Sequence, residues 1–130
     1  MKISQIWANL AVSDLSRTTK FYTEIGFEPN GLPSAEITSF RAGAQVFVLN
    51  FIRQDVFHPA MKGPLADPAK GNEIIFTLSA DSREEVNKWA TEIQKAGGTL
   101  ISEPEIYGDG YYGFVFADPD GHRFNVFLYR

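Results

Sequence analysis

The stretch Glu73-Ile74-Ile75-Phe76-Thr77-Leu78-Ser79-Ala80-Asp81-Ser82-Arg83-Glu84-Glu85 decides the fold, because a period of two gives way in it to a period near 3.6. Ile74, Phe76 and Leu78 share one face of a strand, and Ile75, Thr77 and Ser79 the other. Asp81 or Ser82 caps a helix, and Ser82-Arg83-Glu84-Glu85 has the form of a capping box. Val86, Trp89, Ala90, Ile93 and Ala96 carry an apolar stripe along that helix. Gly97-Gly98 stops it, and Thr99-Leu100-Ile101 restarts a strand.

The same order occurs once before. Gln5-Ile6-Trp7-Ala8-Asn9-Leu10-Ala11-Val12 alternates with period two, Asp14 is a helix N-cap, and Leu15, Phe21, Tyr22 and Ile25 recur at helical spacing up to Gly26. Strand-like sequence resumes at Phe27. Further strands are expected at about residues 35–42 and 45–52, and at about 110–117 and 122–129. Ala42-Gly43 and Asp118-Pro119-Asp120-Gly121 supply the turns between them. Each half therefore reads β-α-β-β-β, an α+β class. The predicted organisation is a single domain over residues 1–130: one module at about 1–52, a joining loop at about 53–71 with room for a helical turn, and a second module at about 72–130. Pro59, Pro64 and Pro68 are what make the joining stretch too irregular for a strand.

Composition narrows the function. A net charge of −4 arises from mixed acidic and basic residues with no long like-charge run, which argues against nucleic-acid binding. The absence of cysteine removes thiolate catalysis, disulfides and iron–sulfur clusters. The first residues run straight into strand alternation with no leader pattern, and no segment approaches the ~20 apolar residues of a membrane span. The expectation is a cytoplasmic protein with no membrane partner.

Three segments resemble the vicinal oxygen chelate superfamily, the relatives of glyoxalase, bleomycin resistance protein and extradiol dioxygenase. Asn9 to Leu15 followed by Phe21 to Phe27 resembles its opening strand and helix, and Glu85 to Gly98 its second helix. Phe116-Ala117-Asp118-Pro119-Asp120-Gly121-His122-Arg123-Phe124 resembles its last hairpin. The likeness extends to bacterial predicted lactoylglutathione lyases. It implies two βαβββ modules forming a cupped, eight-stranded mixed sheet with helices on the outer face, a homodimer, and a divalent ion held by four inward His and Glu side chains.

Carried residue by residue, the four ligand positions fall on Trp7, Val48, Ile75 and Asn125, with Phe47 or Leu49 replacing Val48 if the register slips. An indole offers only an N–H, and valine and isoleucine offer nothing. One neutral amide oxygen remains, which is too little to strip water from a divalent ion. The expectation is no metal and no cofactor.

Other chemistry is sparse. His58 and His122 are far apart and have no accompanying nucleophile, and Asp118 and Asp120 read as turn residues. Gly97-Gly98 and Gly108-Asp109-Gly110 lack phosphate-loop spacing. On the face where the ligands would stand, alternation places Gln5, Trp7, Asn9, Val48, Asn50, Ile75, Thr77, Arg123, Asn125 and Phe127. Ile6, Leu10, Phe47, Leu49, Phe76, Leu78, Phe124 and Val126 are expected under the helices. Tyr107, Tyr111, Tyr112 and Phe114, beside glycines, suit either a pocket mouth or an apolar dimer surface. The predicted ligand-binding set is Trp7, Asn9, Val48, Asn50, Ile75, Thr77, Phe114, Asn125 and Phe127, a lining for a small aromatic or uncharged molecule. Two alternatives stand beside it: a metal-dependent glyoxalase-type lyase or isomerase, and a structural or partner-binding module whose cavity Trp7 and Phe127 fill.

Overall fold

A computed structural model describes residues 1–128. Among them are nine strands and three helices, and the chain divides into two compact units, Met1–Leu65 and Ala66–Arg130.

The first unit contains β1 (Trp7–Val12), α1 (Leu15–Glu24), β2 (Glu28–Pro29), β3 (Ile37–Ala42), β4 (Phe47–Arg53) and α2 (Gln54–Met61). Its sheet runs β1-β4-β3-β2, with β1 parallel to β4 and the other pairs antiparallel. Helix α1 starts where sequence places it: the Asp14 carboxylate accepts from the Arg17 N–H at 3.0 Å, taking up a donor the first turn leaves free. It ends at Gly26, whose φ of 96° is open to glycine at little cost. The helix lays Phe21 and Tyr22 on the sheet, where Tyr22 stacks on Phe51 at 4.3 Å between centroids and meets Phe40 at 5.7 Å. Phe21, Tyr22, Phe40, Leu49 and Phe51 form this unit's core.

The second unit repeats the plan. β5 (Ile75–Ala80), α3 (Arg83–Ala96), β6 (Thr99–Leu100), β7 (Glu105–Tyr107), β8 (Tyr111–Ala117) and β9 (Arg123–Leu128) make a sheet of order β5-β9-β8-β6, with β7 paired to β8. Ser82 caps α3 by accepting from the Glu85 N–H at 3.1 Å, and the Glu85 carboxylate reaches back to the Asp81 N–H at 2.7 Å. The box therefore closes one residue outside its usual position. Val86, Ala90 and Ile93 of α3 are buried, as are Phe114, Phe116, Phe124 and Val126 of the sheet, with Phe116 stacked on Phe124 at 5.2 Å. The Asp118 carboxylate accepts from the N–H groups of Asp120 and His122 at 3.0 and 2.8 Å, so this residue builds the turn.

Four expectations are corrected. The joining segment holds a helix, α2, of two turns; Pro59 sits inside it at the sixth position, and Lys62 is its C-cap, in the left-handed region at φ 59°. The strands number nine in two sheets, because Glu105–Tyr107 pairs with β8. The first strand begins at Trp7, and Ile6 lies 76% exposed instead of under a helix. Phe47 is likewise exposed, at the start of β4 beside the 43–46 turn. The predicted strand at 122–129 is found as Arg123–Leu128, and Tyr129 lies outside the described residues.

Candidate functional site

Each sheet has one face under its helix and one face free of it, and pairing register assigns side chains to the latter. In the first unit Trp7 stands opposite Val48 and Asn9 opposite Asn50, so all four share the face away from Tyr22 and α1. This settles the register of β4: Val48 neighbours Trp7, while Leu49 is buried on the helix side. Arg41 and Glu28 continue the Trp7–Val48 row and form an exposed ion pair at 3.2 Å. The next row is a directional chain of neutral hydrogen bonds. Asn30 Nδ2 donates to Ser39 Oγ (3.1 Å), Ser39 Oγ to Asn50 Oδ1 (2.6 Å), and Asn50 Nδ2 to Asn9 Oδ1 (3.1 Å). Trp7 is 51% exposed and does not act as filler.

In the second unit the rows across the face away from α3 are Ile75–Arg123–Ala117, Thr77–Asn125–Val115 and Ser79–Phe127–Gly113–Glu105. Tyr107 pairs with Tyr111 at the end of β7 and continues the same face. Ile75, Thr77, Asn125 and Phe127 are therefore together, as predicted. Phe114 is not. It pairs with Val126, is fully buried, and lies against Phe116 at 6.0 Å in the core under α3. Gly113 intervenes between Tyr112 and Phe114, and strand alternation sends Phe114 to the opposite side from Asn125. Tyr112 goes the same way: its hydroxyl donates to Asn87 Oδ1 of α3 at 2.7 Å, and the Arg83 guanidinium lies 4.7 Å from its ring.

Sequence reasoning offered Tyr107 and Tyr111 for a pocket mouth or a dimer surface without putting them in the ligand-binding set, and did not single out Gly113 or Glu105. The Tyr107 and Tyr111 rings lie 5.0 and 5.8 Å from that of Phe127. Gly113 makes this possible, since a Cβ there would come within 2.8 Å of the Phe127 Cδ1. The signal was a three-residue strand, Glu105-Ile106-Tyr107, too short for periodicity to detect.

Two side-chain atoms on this face are buried without a hydrogen-bond partner among the described residues: the Tyr107 hydroxyl and Asn125 Oδ1. Asn125 is only 9% exposed. Burial pushes the Tyr107 phenol above its ordinary value of 10.0 and the Glu105 charge adds to the rise, while the Asn125 amide beside it works the other way. A raised value means that the fold holds the phenol neutral. The associated stability is present in full below pH 10.0, where the unfolded phenol is also neutral, and is lost as the pH rises above it. Urea unfolding between about pH 9 and 11 should therefore show a steeper loss in the parent than in Tyr107→Phe. Equal slopes would show that this phenol titrates freely.

The donor set at the four family ligand positions does not fit a divalent ion. Trp7 offers an N–H, Val48 and Ile75 offer hydrocarbon, and Asn125 offers one neutral oxygen. Among the described residues no group of three or more His, Cys, Asp or Glu stands together to hold one. A surface groove of about 570 Å³ runs along α1 past Leu15, Thr19, Thr23 and Pro33, and none of the predicted site residues lines it.

Two units of one strand order, each with an aromatic and amide-bearing open face, define a paired-module α+β protein of the βαβββ type. The chain belongs to the glyoxalase/bleomycin resistance protein/dioxygenase superfamily, whose model matches residues 4–126. The hypothetical protein SA1046 from S. aureus is similar at 29% identity, with a TM-score of 0.87 and coverage of 99% of this chain and 96% of that one. A glyoxalase-related enzyme from Fulvimarina pelagi is 21% identical with a TM-score of 0.85, covering 98% and 89%. A bleomycin resistance determinant encoded on the transposon Tn5 is 21% identical with a TM-score of 0.63, covering 97% and 98%. At that identity the latter two show the fold alone. No curated protein matches the chain.

Proposed function

We propose that this protein binds a small aromatic or uncharged molecule on the open face of its second unit, without a metal at the family position. One observation carries the reading: the Tyr107 hydroxyl and Asn125 Oδ1 are buried and unsatisfied beside the Tyr107–Phe127–Tyr111 ring cluster. Each such orphan costs about 1–3 kcal/mol, which a ligand's polar group on this face recovers. The rings supply flat apolar area for stacking, and Thr77 adds a hydroxyl in the Asn125 row. Trp7, Asn9, Val48 and Asn50 give the first unit a second aromatic and amide face of the same character. Homodimeric assembly and a cytoplasmic location belong to the same reading, on the strength of family resemblance. No helix among the described residues is long and apolar enough to cross a membrane.

Asn125→Leu tests the reading because it removes the orphan amide oxygen while keeping a branched side chain of similar shape. Its stability should stay within about 1 kcal/mol of the parent or exceed it, since an unsatisfied buried group is lost. The thermal shift produced in the parent by indole, naphthol or benzamide should disappear. A parent that none of the three probes shifts, or a variant shifted as much as the parent, would overturn the proposal.

A further inference from the structure

The geometry points to a protonated amine on an aromatic or other apolar body as the molecule this face recognises. The inference rests on the binding reading above and narrows it to the polar head of the ligand.

The buried oxygens at the ring cluster can accept. Asn125 Oδ1 can only accept, the Tyr107 oxygen beside the Asn125 amide has a further lone pair, and Glu105 carries a carboxylate on the same face, in the row of Phe127 and Gly113. Glu105 is near enough for its charge to be felt at the Tyr107 hydroxyl. An alkylammonium has three donors and no acceptor, so it can donate to such groups without leaving a lone pair of its own unmet. A neutral alcohol brings one donor, and a carboxylate brings none.

The rings point the same way. Tyr107 and Tyr111 flank Phe127 at 5.0 and 5.8 Å, and the negative faces of such rings attract a cation. Charge on this face is sorted along the strands. Arg123 lies in the Ile75–Ala117 row, two residues along β9 from Asn125 and four residues, about 13 Å, from Phe127. Glu105 stands at the ring end, and Asp109 is in the turn that joins β7 to β8 there. A cation is thus drawn to the ring end and kept from the other.

Both orphan acceptors are closed to solvent, and we infer that the Tyr107 side chain turns outward to open them. Its hydroxyl lies beside the Asn125 amide, and its ring is held to Phe127 by a tilted contact. Turning it outward breaks both contacts in exchange for those with the ligand. It exposes Asn125 Oδ1 to the ammonium and frees the phenol oxygen to accept from the same group.

Titration calorimetry with phenethylamine and its near-isostere phenethyl alcohol at about pH 7 tests the inference, because the two differ in the ammonium alone. The amine should bind at least about tenfold more tightly. Glu105→Gln, an exposed substitution that leaves the core untouched, should cut amine affinity several-fold and leave the alcohol unchanged. Asn125→Asp, which places a charge where the acceptor stands, should strengthen the amine and not the alcohol. Equal affinities for the two probes, or an amine advantage indifferent to both substitutions, would overturn the ammonium inference while leaving aromatic binding intact. Failure of both probes to bind would remove the two together.

Discussion

Gly113→Ala is expected to lower the stability of the protein by about 3–5 kcal/mol, or to prevent the second unit from folding. The position is in the middle of β8, opposite Phe127 of β9 and Glu105 of β7. Its backbone is not left-handed, so alanine suffers no conformational penalty there. The cost is steric. A Cβ would fall on the carbonyl oxygen of Val126 and reach within 2.8 Å of the Phe127 ring. A flexible side chain can turn aside, but a backbone oxygen can move only if β8 and β9 part, and they are the central pair of the sheet. The expected fall in melting temperature is roughly 10–20 °C. A variant melting within about 3 °C of the parent would show that β8 and β9 accommodate the methyl group. The same glycine gives the Phe127 ring its place beside Tyr107, so any folded Gly113→Ala protein should also lose the aromatic half of the site.

Phe51→Ala should be nearly as damaging, at about 3–5 kcal/mol. Phe51 is fully buried on β4 and lies under Tyr22 at 4.3 Å and 26° between ring planes, with Phe40 beside it at 6.3 Å. Removing it takes away the ring that α1 rests on and leaves a cavity between two elements that cannot close without moving the helix. Phe51→Leu keeps most of the volume and should cost about 1–2 kcal/mol. Urea unfolding of the two variants distinguishes packing from mere hydrophobicity: similar losses for alanine and leucine would show that ring stacking, and not filled volume, holds the helix to the sheet.

The two substitutions act on opposite kinds of residue, and the difference explains what sequence could show. Phe51 was recognisable as apolar in a strand, and its face followed from alternation with Asn50 and Ile52. Gly113 carried no such mark. Its importance lies in what stands opposite, and register across strands is set by turns and packing that a single strand's pattern does not contain. The same limit applies to Phe114. Counting glycines and tyrosines brought it to the pocket mouth, whereas the pairing of Phe114 with Val126 sends it into the core.

The repeated strand, cap and apolar stripe are local features, decided within ten or fifteen residues by steric preference and hydrogen-bond geometry. Asp14, Ser82, Glu85, Gly26 and Gly97 were legible for that reason, and with them helices α1 and α3, the turn at Asp118 and the α+β class. The unsuitability of Trp7, Val48, Ile75 and Asn125 as metal ligands was equally legible, because it depends on the chemistry of side chains at positions that a motif numbers. Tertiary structure alone decided that Val48 neighbours Trp7, that α2 forms despite Pro59, and that a three-residue strand brings Tyr107 against Phe127. It also decided that Asn125 Oδ1 is buried without a partner. Whether a polar atom is satisfied depends on every group that packs around it, including residues distant in the chain, and that is a property of the assembled sheet and of no segment within it.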